Sequence, residues 1–306
     1  MAVQTDSKAQ ARILSLETKG SLKRRTNPIK AMLKIMLLYL PLIIWTLITI
    51  YPFWYMIVVS AKSQAQIFTF PPPMSLDSDF FVQFTNNYRS LLSKIPFWQN
   101  LWNSIYIACM STLLSIFFCS LGGYGFAMYN FRGKNIMFSI MIFTLMIPQL
   151  IGIIPYFLLM KAFGWLNTAR AIYIPGIANA FGIFLMKQYI EASIPIDLVD
   201  AARVDGAGEF SIFWKIVFPL ITPVIGSFGI MTFLGSWNNF LGPLVIMRSR
   251  ETYTIPVALN SLRGLQNVDY GAIMVGTVIS VFPLVLVFIL MSKLIISKMT
   301  EGALKG

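Results

Sequence analysis

Apolar residues in this chain fall in long unbroken runs rather than at alternating positions or on one helical stripe. Six of these runs approach the roughly twenty residues that a helix needs to cross a bilayer. They lie at Met36 to Val59, Ser104 to Met128, Ile136 to Met160, Ala171 to Tyr189, Ile216 to Ser236 and Ala272 to Ile296. The pattern predicts an all-α membrane protein with six transmembrane helices, and an even number of crossings places both termini on one side. A basic segment, 1–33, precedes a six-span domain over 34–299, and a short tail, 300–306, follows it. The first run begins beyond residue 30, is too long for a signal peptide and has no small-residue cleavage site after it, so it reads as an anchor that stays.

Composition agrees, with 57% of residues hydrophobic and 12% charged. Lys and Arg flanking spans are retained in the cytoplasm. Cytoplasmic termini put most of the 24 basic residues on that side, so the net charge of +12 is mainly topological. It implies no nucleic-acid partner, although Lys23, Arg24 and Arg25 suit anionic membrane lipid. The chain has no histidine, and all twelve acidic residues fall outside the predicted spans. A carrier driven by an ion gradient usually holds ionisable groups inside the membrane, so this argues against proton coupling. It argues less strongly against sodium coupling, where backbone carbonyls of broken helices can hold the ion. No G-x-x-x-x-G-K-[ST] phosphate loop is present, so any nucleotide that drives transport is hydrolysed on another polypeptide. Without histidine the Ser-His-Asp and His-metal arrangements are excluded, which leaves a membrane-embedded enzyme with little to work with. Cys109 and Cys119 lie ten residues apart in one span, about 15 Å along a helix, beyond disulfide reach. They read as packing residues.

The segment from Ser193 to Pro223 is a charged, glycine-broken insert between spans four and five. Pro195 suits the first turn of a helix, and Asp197 and Asp200 sit near the positive end of its dipole. Leu198, Ala201, Ala202 and Asp205 share a face at helical spacing. Gly206 can adopt the left-handed conformation that ends such a helix, and Glu209 starts a second one with Phe210, Phe213, Trp214 and Val217 as an apolar stripe. A short helix, a sharp bend and a helix leading back into the membrane are therefore expected. Such an element either packs against its own bundle or inserts into a groove on a cytoplasmic protein.

Asp200-Ala201-Ala202, three residues, Gly206, nine residues and Ile216-Val217-Phe218-Pro219 resemble the E-A-A-x3-G-x9-I-x-L-P motif carried by permease subunits of ATP-binding-cassette importers. Asp200 stands for the motif's Glu and Phe218 for its Leu. I-P-I-D-L-V-D-A-A-R-V-D-G-A from Ile194, W-N-N-F-L-G-P-L from Trp237 and Y-T-I-P-V-A-L from Tyr253 are similar to carbohydrate-uptake permeases of the kind represented by the second membrane subunit of the maltose importer. The resemblance covers the chain from about Trp102 to its end. It implies a bacterial inner-membrane permease that forms a heterodimer with a second, homologous permease and works with two ATPase subunits and an extracytoplasmic solute-binding protein. ATP and magnesium would be bound by the ATPase subunits and no cofactor by this chain. The substrate implied is a carbohydrate, an oligosaccharide in particular. A related permease for a non-sugar solute and a gradient-driven carrier are the alternatives.

The resemblance further implies that Asp200, Ala201, Ala202, Asp205, Gly206 and Glu209 form a coupling helix and its turn, docked on one ATPase subunit. Asp200 would accept a charge-assisted hydrogen bond from a basic residue there. The tail, with Gly302, Lys305 and Gly306, is similar to tails that reach the ATPase interface, and a frayed terminus is the alternative. Inside the membrane, Pro148 and Pro155 interrupt span three, and the carbonyls they free either line a water-filled path or face a neighbouring helix. Gln149 between them can hydrogen-bond a sugar hydroxyl or the next helix. Gly122, Gly123, Gly125, Gly226 and Gly229 favour close helix packing. Trp237, Asn238 and Asn239 offer an aromatic platform and two amides for a sugar, or an interfacial belt residue. Arg248, Arg250 and Arg263 are candidates for contact with the binding protein, or for solvent or lipid headgroups.

Overall fold

The structure, a computed structural model, describes residues 28–264 and 268–303, and its regular elements among them are all helices. Lys23, Arg24, Arg25, Lys305 and Gly306 lie outside the described residues. Helix α1 (Pro28–Ser60) is followed by α2 (Gln64–Ile67), α3 (Phe80–Lys94), α4 (Phe97–Met128) and α5 (Lys134–Thr144). A 3-10 turn, Gln149–Gly152, leads into α6 (Ile153–Ala162), and then come α7 (Arg170–Tyr173), α8 (Ala180–Ser193) and α9 (Ile196–Val204). The next segment runs through α10 (Glu209–Ile212), a π turn (Phe213–Val217) and α11 (Phe218–Leu220) to α12 (Thr222–Trp237). Finally α13 (Leu241–Ile246), α14 (Ile255–Ser261) and α15 (Tyr270–Ala303) complete the chain. Two compact units divide at Tyr55. The first is the apolar amino-terminal part of α1, and the second contains everything from Met56 onward.

Among the described residues, three helices are individually long and apolar enough to cross a membrane, within α1, α4 and α15. Two more crossings are available if bent pairs count as single spans. The α5 and α6 segments meet at 93°, and the Glu209–Leu220 and α12 segments at 79°. The fourth expected span, Ala171 to Tyr189, is not one helix. It divides into α7 and α8 because Pro175 has no N–H to donate and Gly176 disfavours helix. Asn179 then opens α8 by accepting a hydrogen bond from Gly182 N at 2.8 Å. In the third span only Pro148 stands at the break. Pro155 lies in the first turn of α6, where its missing N–H costs no helical hydrogen bond.

Helix α4 is the spine of the second unit. Its first half contributes Phe97, Leu101 and Ala108 to a core with Leu91, Phe233, Trp237, Ile255, Leu262 and Ile273. Its second half contributes Cys119, Tyr124 and Met128 to a core with Met186, Ile190, Val199, Ile212, Phe213, Val217 and Phe228. Cys119 is thus a packing residue, whereas Cys109 is exposed. Buried polar groups at the start of α4 tie it to the segment before α14. Asn100 Nδ2 donates to the carbonyls of Arg250 (2.6 Å) and Tyr253 (3.1 Å), and Ser104 Oγ accepts from Ile255 N at 2.7 Å.

Small residues set the distance between α4 and α8. A Cβ on Gly123 would stand 2.5 Å from Met186 Cβ and 2.8 Å from the backbone N of Lys187, whereas one on Gly125 would meet nothing within 4 Å. Gly122 and Gly123 therefore pack against the neighbouring helix as expected, and Gly125 does not. Gly123→Ala should destabilise the protein by about 1–3 kcal/mol through overpacking against backbone, while Gly125→Ala should be neutral or slightly stabilising through helix propensity. Thermal unfolding of the two variants in detergent checks this, and equal midpoints would refute the close-packing account.

Candidate functional site

The insert after α8 is built by local signals. Pro195 precedes α9 with φ −60° and ψ 134°, and Asp197 lies in the first turn. Gly206 adopts φ +81°, Ala207 N donates to Ala202 O at 3.0 Å and Gly206 N to Arg203 O at 3.0 Å. This is the Schellman arrangement that satisfies the last carbonyls of a helix. Glu209 then begins α10. The inward side of the insert is Val199, Ile212, Phe213 and Val217, all fully buried. The outward side of α9 presents Ile196, Leu198, Ala201, Val204 and Asp205, with Val204 87% exposed. Of the residues expected on one face, Ala202 turns partly into the core, while Leu198, Ala201 and Asp205 remain exposed. The expected apolar stripe divides likewise: Phe213 and Val217 are buried, whereas Phe210 and Trp214 are exposed.

A hydrogen-bonded ion network spans the turn. Arg203 Nη1 donates to Asp200 Oδ1 at 2.8 Å, Nε to Glu209 Oε1 at 2.8 Å and Nη2 to Glu209 Oε2 at 3.4 Å. The guanidinium lies 5.3 Å from the centroid of the Tyr129 ring. Tyr124 Oη, at the end of α4, donates to Glu209 Oε2 at 2.8 Å. The guanidinium of Arg203, with the hydroxyls of Tyr129 and Tyr124, holds the Glu209 carboxyl down at about 2. Asp200 remains 55% exposed, yet it has a partner within its own chain. Arg203 was readable three residues after Asp200, a spacing that pairs opposite charges on a helix. Tyr124, 85 residues before Glu209, had no such signal.

A second feature is a cavity of about 1020 Å³ that forms where helices break. Its walls come from α4 (Ser111, Ser115), the turn at Gln149, Tyr156 of α6, Tyr173 of α7, the Pro175–Asn179 break, α12 and the Asn238–Gly242 turn. Of the expected path residues, Gln149, Asn238 and Asn239 line it. The Gln149 side chain is exposed and makes no hydrogen bond among the described residues. Asn238 Nδ2 donates to Leu234 O at 3.0 Å, and Asn239 Oδ1 accepts from Gly242 N at 3.2 Å, so each keeps one amide atom uncommitted. Trp237 does not line the cavity. It is 4% exposed and stacked on Phe233 at 5.8 Å, which removes it as a platform and as a belt residue. No charged side chain is among the lining residues.

The segment joining α13 to α14 is held by Asn167, whose φ of 63° turns its side chain carbonyl toward Arg248 N (2.8 Å), Ser249 N (3.2 Å) and Thr252 Oγ1 (2.6 Å). Arg248 and Arg250 are exposed on it, and Arg250 Nη1 donates to Lys94 O at 3.3 Å. Arg263 is exposed in the 3-10 turn after α14. Gly302 lies in the last turn of α15.

The model of one family, the inner membrane component of binding-protein-dependent transport systems, matches residues 119–301. The chain belongs to this family. It is therefore a multi-pass inner-membrane permease component. The chain is 32% identical over 262 residues, 85% of its length and 92% of the relative's, to the arabinooligosaccharides transport system permease protein AraQ of Bacillus subtilis. It is 34% identical over 246 residues, 80% and 88% of the two chains, to the lactose transport system permease protein LacG of Rhizobium radiobacter. In three dimensions it resembles a chain of a bacterial ABC transporter involved in the import of the acidic polysaccharide alginate. The TM-score there is 0.73 at 26% identity, covering 89% of this permease component and 98% of that chain.

The depressed Glu209 gives a signed pH expectation. A carboxyl held below its ordinary value of 4.5 contributes stability in full above that value and loses it as pH falls toward 2. The local stability of the insert should thus be flat from pH 8 to pH 5 and fall below about pH 4.5. In Glu209→Gln the acid-side loss attributable to this group should vanish. Limited proteolysis of the insert across pH, followed by mass, measures both, and an unchanged acid profile in the variant would refute the assignment.

Proposed function

We propose that this permease component imports a carbohydrate, an oligosaccharide in particular, as half of a heterodimeric pore driven by two separate ATPase subunits and fed by an extracytoplasmic solute-binding protein. The observation that carries the reading is the α9 surface. A nine-residue helix stands out from the core with Leu198, Ala201, Val204 and Asp205 exposed, on a chain with no phosphate loop of its own. An exposed apolar patch on a helix ended by a hydrogen-bonded turn is suited to a groove on a partner. Placed on the cytoplasmic side by the distribution of Lys and Arg, α9 is the coupling helix, and both termini share its side. In this reading the chain crosses the membrane six times, with the divided α7–α8 segment as the fourth passage.

The cavity would be this subunit's share of the translocation path. Uncommitted amide atoms at Gln149, Asn238 and Asn239, together with the hydroxyls of Tyr156 and Tyr173, suit a ligand rich in hydroxyl groups. The second permease would close the open side. ATP and magnesium bind the ATPase subunits, and this chain holds no cofactor. Gly302 and the residues after it would lie near the ATPase, and Arg248 would face the binding protein.

Val204→Arg, which changes an 87% exposed side chain and no core contact, tests the docking surface. In the complete complex isolated from membranes, the variant should lose the ATPase subunits by at least about tenfold while keeping the partner permease, as expected when a charge enters an apolar contact. Undiminished ATPase recovery would remove α9 as the docking helix. Transport that survives without the ATPase and collapses with ionophores would replace the proposal with a gradient-driven carrier.

A further inference from the structure

We propose that Arg203, Glu209 and Tyr124 form a mechanical strut that carries movement of α9 into α4 and so to the cavity, with Arg203 and Glu209 as positioning residues rather than partner-binding ones. The inference rests on the coupling role of α9 given above and adds the route by which that role reaches the path.

Three observations carry it. The first is that Asp200, Arg203 and Glu209, on the two sides of the Gly206 turn, are paired within the chain. Arg203 bonds Asp200 on one side and both oxygens of Glu209 on the other, so side chains cross-brace α9 and α10 over the Gly206 turn in addition to its backbone bonds. The second is that this braced unit reaches α4 through a polar bond from a buried tyrosine ring to the partly exposed Glu209 carboxylate. Tyr124 is 3% exposed, packed edge-on against Tyr129 at 5.6 Å and against Phe213 at 5.6 Å, and its hydroxyl donates to Glu209. Apolar contacts alone allow sliding, whereas a hydrogen bond to a charged acceptor fixes distance and direction. The third is that α4 is one continuous helix of 32 residues with Tyr124 at one end and the cavity residues Ser111 and Ser115 farther along. Thirteen residues separate Tyr124 from Ser111, about 20 Å at the helical rise. A displacement applied at Glu209 is thereby delivered to the cavity wall by a rigid element.

Tyr124→Phe removes one hydroxyl and preserves the ring, so the core around it stays filled. Cysteine is placed at Ser111 in a background where Cys109 and Cys119 are Ser. The assembled complex is treated with a water-soluble maleimide, with and without ATP. In the parent the labelling rate at position 111 should change on adding ATP. In Tyr124→Phe the complex should stay assembled and hydrolyse ATP, and the ATP-dependent change should shrink by about tenfold, the scale of one hydrogen bond to a charged group. Arg203→Ala should do the same. The double variant should be no worse than the stronger single one, because both cut a single series of bonds. An undiminished ATP response in Tyr124→Phe overturns the strut, and so does a strictly additive double variant. Loss of the ATPase subunits from Tyr124→Phe also overturns it, since the network would then serve docking. A parent complex that holds ATPase subunits yet shows no ATP response at position 111 overturns the strut and leaves α9 docking intact. A parent without ATPase subunits defeats the proposed function itself, and the strut with it.

Discussion

The close approach of α4 to α8 is the contact on which the other features depend. At Gly123 the two helices come so near that a single methyl group would collide with Met186 and with backbone. In hydrocarbon no hydrophobic gain drives helices together, so close van der Waals contact over small residues must supply it. With α8 seated on α4, Gly182 leaves room for Phe228 and Cys119, and α12 is drawn to the same spine. α8 cannot be long and still sit this way. It begins at Asn179, after Pro175 and Gly176 have ended α7, and the interrupted backbone faces the cavity instead of lipid.

That arrangement gives the helix breaks a common consequence. The turn at Gln149, the Pro175–Asn179 segment and the Asn238–Gly242 turn all border one space. Carbonyls released where a helix ends are tolerated at membrane depth only inside protein or beside water. A cavity walled by such breaks therefore gains polar groups within a largely apolar lining, without a single ionised side chain. In the proposed role as a translocation path, amides, hydroxyls and shape are what such a cavity offers a ligand.

What the sequence revealed, and what it hid, follows from the range of the interactions. The α9 insert was legible because Pro195, Gly206 and Glu209 act on their own backbone, within a few residues. Hydropathy showed the apolar runs but not whether a run is one helix: Ala171 to Met186 is interrupted by a single polar side chain, Asn179, and still divides at Pro175. Nor does it say which way a side chain turns, so Trp237 resembled a sugar platform until Phe233 and the α14–α15 core were seen to cover it. Gln149, by contrast, lines the cavity because it sits beside the proline that makes the break. The Tyr124 to Glu209 bond and the hold of Asn167 on Ser249 and Thr252 join residues more than eighty positions apart, and pattern within a window cannot reach them.

The position of the ion network bears on why its charges are placed at a turn. Glycine at φ +81° is the cheapest way to end α9, but it is also the joint at which α9 would rotate against α10 if nothing else held them. A surface ion pair adds little to stability by itself. Here one guanidinium serves two carboxylates on opposite sides of the joint, and one of those carboxylates accepts a bond from a buried hydroxyl. Its contribution is geometric: with the backbone bonds of the turn, it ties α9 to α10 across the glycine. A helix that docks on a moving partner has to be free of its own bundle on one face and rigidly joined to it on the other. In the role proposed for α9, the exposed Val204 and Leu198 would meet the first requirement and the Arg203 bonds to Asp200 and Glu209 the second.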